Sequence, residues 1–191
     1  GSAFGATKNP YGLTRHPGGS SGGTGAGIAA NFAVVGMGSD TCGSIRVPSA
    51  HNNLVGLRGT QGLSSRFGIV PLSSTQDIGG PLARSVRDLA ITLDVTVGFD
   101  RNDPQTAASV GKIPASYYAA LTTLDPSTLR LGVLVDRFGT DPEEIELGNR
   151  IEALLGKLQA EGATVIEVAD PEVYASLVET PFFVSEFDFR K

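Results

Sequence analysis

The sequence predicts an α/β fold, and three observations carry that prediction. Residues 129–135 are an apolar run of buried-strand length, 142–161 read as a helix, and 165–168 are a second apolar run, which together make one βαβ unit. Residues 84–97 read as a second helix, with Leu82, Val86, Leu89, Ala90 and Leu93 on one face and Ser85 and Asp88 at capping-box spacing. With 40% hydrophobic and 18% charged residues among 191, the chain has the material to bury a core.

The remaining elements follow in chain order. Most of the 25 glycines fall in the first 80 residues, where the backbone must turn tightly or approach something closely. Residues 20–32 predict a helix whose small side chains allow close packing on a sheet, 34–38 a short strand, and 54–58 another. The Asn, Asp, Pro and Gly content of 100–114 predicts a loop, and Gly162 a helix C-cap. Residues 171–180 look helical, after which the chain stops in an aromatic and acidic run, the pattern of a truncated end. The expected organisation is a core with Gly/Ser-rich loops over 1–125 and a βαβ continuation of the same domain over 126–191.

Composition removes several functions. The net charge is −5 and no long basic run exists, so no nucleic-acid partner is expected. One cysteine excludes an internal disulfide and leaves the cytoplasm as the default location. The most apolar stretch, 26–37, is interrupted by Asn31 and falls short of the roughly 20 residues that cross a bilayer, so no membrane segment is expected. No secretory signal pattern opens the chain. Two histidines, His16 and His51, read as loop and packing residues, and no spaced ligand cluster calls for a metal or any other cofactor. The composition is compatible with a homo-oligomer.

Two motifs could carry chemistry. Gly18-Gly19-Ser20-Ser21-Gly22-Gly23 sets two hydroxyls in a permissive backbone at the start of a helix. It also satisfies GxSxG, but Pro17 and His16 stand where a nucleophile elbow needs a strand, and Ser20, Asp40 and His51 are too compressed for its triad. Gly25-Ala26-Gly27-Ile28-Ala29-Ala30 imitates a dinucleotide fingerprint without the strand that must precede it. The second motif, GSDTCGSIRVP at 38–48, turns so that successive N–H groups could converge on one point, with Ser44 at its end. Asp40 and Arg46 bracket the turn as a structural ion pair, and Cys42 reads as a small side chain.

GGSSGG, then GSDTCGSIRVPS, Leu54-Val55-Gly56-Leu57-Arg58-Gly59-Thr60 and Asp77-Ile78-Gly79-Gly80-Pro81-Leu82-Ala83-Arg84, in this order and spacing, resemble the amidase signature family. The resemblance implies a mixed β-sheet with helices on both faces, partial in this chain. It implies Ser44 as nucleophile, Ser20 as the serine of a cis peptide, and the N–H groups of Thr41, Cys42, Gly43 and Ser44 as an oxyanion hole. Ser21, Asp40 and Arg46 support them. In such enzymes a lysine draws the nucleophile's proton through the cis serine. That lysine lies well upstream of the cis serine, and none of Lys8, Lys112, Lys157 and Lys191 takes its place. The implied activity is hydrolysis of a carboxylic amide C–N bond in a small-molecule substrate, without a cofactor. The alternatives are the A component of an amidotransferase, which works with partner subunits, and a non-catalytic remnant.

Overall fold

In the computed structural model the first glycine-rich motif leads into helix α1, Gly22–Ala29, which lies on strand β1, Val35–Asp40. Glycine on both sides permits that approach. A Cβ at Gly36 would sit 2.5 Å from Thr24 Cγ2, and one at Gly38 would sit 2.6 Å from Ser21 Oγ. The structure describes residues 4–135, 138–169 and Asp188. These fall into two compact units, one holding residues up to 121 together with Asp188, the other residues from 122 onward.

In the first unit, β1 is followed by helix α2, Arg46–His51, strand β2, Val55–Gly56, and strand β3, Ile78–Ala83. The sheet is antiparallel in the order β1-β3-β2, with Val35 opposite Ala83 and Asp40 opposite Ile78. The 54–58 strand expected from the sequence is therefore only two residues long, while β3 and α2 are elements the sequence did not announce. Every residue of β3 is buried. Pro81 is tolerated in this central strand because its carbonyl accepts from Leu57 N–H at 3.1 Å, which turns the missing N–H toward the short β2 side and away from β1.

Helix α3, Val86–Thr96, closes the sheet on one face through Leu89 and Leu93, which pack with Ala83, Val35, Val55 and Leu57. Its cap is the one read from the sequence: Ser85 Oγ accepts from Asp88 N–H at 3.1 Å and donates to the Asp88 carboxylate at 2.7 Å. Within the expected 100–114 loop a 3₁₀ segment, Pro104–Ser109, is held by Thr106, whose hydroxyl is buried against Asp100 and Asp103.

The second unit is the expected βαβ arrangement. Strand β4, Arg130–Val133, pairs in parallel with β5, Thr164–Glu167, through helix α4, Pro142–Ala160. Glu144 caps α4 by accepting the Thr140 and Asp141 N–H groups, and Gly162 ends it at φ 102°. The fold is thus α/β, with one antiparallel and one parallel sheet among the described strands. The helix read at 171–180 lies outside the described residues. No helix among the described residues is long and apolar enough to cross a membrane.

Candidate active site

Two loops come together between β1 and the N-termini of α1 and α2. The first carries Ser20 and Ser21. Its Gly19–Ser20 peptide bond is cis, and Ser21 donates its backbone N–H to the Ser44 carbonyl at 3.2 Å. The second leaves β1 at Asp40, passes through Thr41, Cys42 and Gly43, and delivers Ser44 just before α2.

The two serines of the first loop differ in what they can do. Ser21 Oγ donates to Ser39 O at 3.2 Å and accepts from Ser39 N–H at 3.3 Å, so its hydroxyl is committed to β1. Ser20 is exposed, and no described residue bonds its hydroxyl. Ser44 is half-buried and Cys42 exposed, while Thr41 and Gly43 are buried.

Asp40 organises the second loop from inside. Its carboxylate is fully buried and accepts from Gly43 N–H at 2.7 Å, Ile45 N–H at 3.1 Å and Arg46 N–H at 3.3 Å. Arg46 grips it with Nε at 3.1 Å and Nη2 at 3.2 Å. Burial opposes ionisation of this carboxyl. The Arg46 guanidinium and the Ile45, Gly43 and Arg46 N–H groups outweigh it and hold the group well below the usual carboxylate range. One consequence corrects the expectation from sequence. The Gly43 N–H points into Asp40, so it is not open to a ligand as an oxyanion donor. Among the described residues, the N–H groups of Thr41, Cys42 and Ser44 have no acceptor.

Three residues to which the sequence assigned no role complete the frame. Arg58 donates to Asp40 O at 3.0 Å and Gln76 O at 3.1 Å, tying the end of β1 to the approach to β3. Asp77, buried at the start of β3, accepts from Thr41 Oγ1 at 2.5 Å and from Leu72 and Ser73 N–H at 2.7 and 2.9 Å. Asn52, also buried, bonds the backbone at Pro17 and Pro48. The available signal was an Asp, Arg or Asn inside a segment that has to be buried, since such groups must be paired there. His16 lies in a loop, where Gly18 N–H donates to its Nδ1 at 2.9 Å, whereas His51 is the last residue of α2, with its Nδ1 3.3 Å from His16 O.

The profile of the amidase family matches residues 1–188. Over 184 residues the chain is 40% identical to the A component of glutamyl-tRNA(Gln) amidotransferase from Acinetobacter baylyi, covering 96% of this chain and 37% of that protein. Among solved structures, native peptide amidase from Stenotrophomonas maltophilia is 39% identical with a TM-score of 0.76, covering 90% of this chain and 35% of that one. The A component of glutamyl-tRNA(Gln) amidotransferase from Thermotoga maritima is 32% identical with a TM-score of 0.75, covering 99% and 44%. The chain spans well under half the length of each of these relatives. A family profile met along nearly the whole chain, and a fold shared with these structures, make it a member of the amidase (amidase signature) family.

Proposed function

We propose that this chain supplies the nucleophile and the proton relay of an amide hydrolase: Ser44 attacks the carbonyl carbon of a carboxylic amide, and Ser20 passes its proton. The observation that carries the reading is the bond from Ser21 N–H to Ser44 O, which brings the two serine-bearing loops to one place while committing the Ser21 hydroxyl elsewhere.

Ser44 is a weak nucleophile as a neutral alcohol, so its proton must leave as it adds to the carbonyl carbon. Ser20, whose hydroxyl can accept one proton while giving up another, hands it on and later returns it to the departing nitrogen. The acyl group then sits on Ser44 as an ester, which water cleaves to release the carboxylate. The oxyanion of each tetrahedral intermediate is met by N–H groups drawn from Thr41, Cys42 and Ser44, held in place by a loop that Asp40 fixes from behind. The base that draws the proton onward is not assigned to any residue of this chain.

The amidotransferase relatives support a second reading, in which the same serines release ammonia from an amide for use by partner subunits. Peptide amidase supports the first reading at similar identity. The test is ammonia release from a panel of primary and substituted amides by the intact protein, alone and beside Ser44→Ala. Loss of such a nucleophile has cost about 10⁶ in kcat. Turnover that survives Ser44→Ala removes the assignment, and turnover that appears only with added partner subunits selects the second reading.

A further inference from the structure

Asn52 is completely buried at the C-cap of α2, and its amide orientation is settled by its neighbours. Nδ2 lies 2.7 Å from Pro17 O and 2.8 Å from Pro48 O. Both are carbonyls, which only accept, so the NH₂ must face them. Oδ1 is then turned the other way and, among the described residues, has no hydrogen-bond partner. A fold that retains a buried amide with its acceptor unmet is keeping it for the two bonds that its donor makes.

The bond to Pro48 O is not the distinctive one, because Asn52 already donates its own backbone N–H there at 3.1 Å. The bond to Pro17 O spans 35 residues and reaches the strand of chain entering Gly18-Gly19-Ser20. This junction has no slack. Gly18 has φ 76°, a Cβ there would lie 2.8 Å from Pro48 Cα, and a Cβ on Gly25 of α1 would lie 3.0 Å from Asn52 Nδ2. The segment bearing Ser20 is therefore anchored at both ends to the segment bearing Ser44: Pro17 through Asn52 to α2, and Ser21 through its N–H to Ser44 O. Only Gly18, Gly19 and Ser20 lie between the anchors.

We infer that Asn52 is a positioning residue for the Ser20–Ser44 pair, setting where the Ser20 hydroxyl stands relative to the nucleophile. The inference rests on the amidase reading above. Without the Nδ2 bond the entry to the loop keeps only packing and the longer, exposed contact of His51 Nδ1 with His16 O at 3.3 Å, and a displacement of about 1 Å in such a relay costs about 10²-fold in rate.

The test uses the intact protein and compares Asn52→Ala with Asn9→Ala, since buried Asn9 makes an analogous tie to His51 O at 2.6 Å without reaching either serine. Melting temperature, kcat, KM and the rate at which a serine-directed fluorophosphonate captures Ser44 are measured for each. The expected result is that Asn52→Ala loses about 10²-fold in kcat and in capture rate with KM nearly unchanged, whereas Asn9→Ala melts lower but keeps both rates. If Asn52→Ala does not fold, Asn52→Ser, which keeps one donor, is measured in its place and should show a smaller loss of the same kind. Equal rates in the Asn52 and Asn9 variants overturn the positioning role and leave the amidase reading intact. Turnover that persists in Ser44→Ala, measured alongside, overturns both.

Discussion

The Ser21 N–H donates to the Ser44 carbonyl, and in the same residue the hydroxyl is tied in both directions to Ser39 of β1. Two adjacent serines thus differ, one hydroxyl holding the loop and the other bonded by no described residue. Ser21→Ala should lower stability by about 1 kcal/mol for its lost hydrogen bonds while retaining most turnover. Ser20→Ala should leave the melting temperature near its original value and reduce kcat by about 10² to 10⁴, the range of a proton-transfer contribution. Thermal melts beside steady-state kinetics on the two variants check this, and the reverse pattern would move the relay to Ser21.

Glycine in the α1–β1 contact makes a second contrast measurable. A Cβ at Gly38 would come 2.6 Å from Ser21 Oγ and 3.0 Å from Leu82 Cδ1, so Gly38→Ala should destabilise by about 1–3 kcal/mol and displace the loop that Ser21 anchors. Gly23 lies in α1 with nothing within 4 Å of a Cβ, so Gly23→Ala should stabilise by up to about 1 kcal/mol. Denaturant titration of both variants tests the sign of each.

The elements read correctly from the sequence are those whose local signals agree with their tertiary setting. α3 has an amphipathic face and a Ser85–Asp88 cap, and α4 lies between two apolar runs with Gly162 behind it. β3 was hidden because Ile78-Gly79-Gly80-Pro81-Leu82-Ala83 has the composition of a turn, and only its neighbours make it a strand. Gly80 is required there because a Cβ would meet Leu57 O, and Pro81 is allowed because β2 is short. α2 was read as part of a turn, although Pro48 sits in its first turn, where a missing N–H costs nothing. In the candidate site, Ser20, Ser44 and the Asp40–Arg46 pair could be picked out from glycine-shaped motifs. The direction of the Gly43 N–H could not, since it depends on where the Asp40 carboxylate folds back.

Asp40 gives the pH dependence a sign. Its carboxyl is held below its unfolded value, so its contribution to stability is fully present above about pH 4 and is lost as pH falls from there toward the folded value. Asp103, which accepts from Arg66, is displaced in the same direction and adds to the slope. Asp40→Asn should cost about 3 kcal/mol at neutral pH, since an amide cannot accept from three N–H groups and a guanidinium together. It should also flatten the fall in stability below about pH 4 without abolishing it. Chemical denaturation at a series of pH values reads both effects, and an unchanged acid slope in Asp40→Asn would show that other carboxyls dominate it.

Cys42 presents an exposed thiol two residues from Ser44. Its side chain makes no hydrogen bond to any described residue, and the role proposed for residue 42 belongs to its backbone N–H. Cys42→Ala should therefore retain turnover within about threefold, because the N–H stays where Asp40 and the Thr41–Asp77 bond hold the loop. Thr41→Val removes that bond to Asp77 while leaving every N–H present, so it loosens the loop without deleting a donor. The loss of an oxyanion donor costs about 10² to 10³ in kcat, and Thr41→Val should fall short of that range yet exceed the effect of Cys42→Ala. Alkylation of the thiol provides a check in the opposite direction, since a bulky adduct at position 42 should block the approach to Ser44 where alanine does not. If Cys42→Ala alone cost as much as Ser44→Ala, the thiol and not the serine would be the attacking group. Mass spectrometry of the acyl intermediate trapped from substrate would then find the acyl group on Cys42.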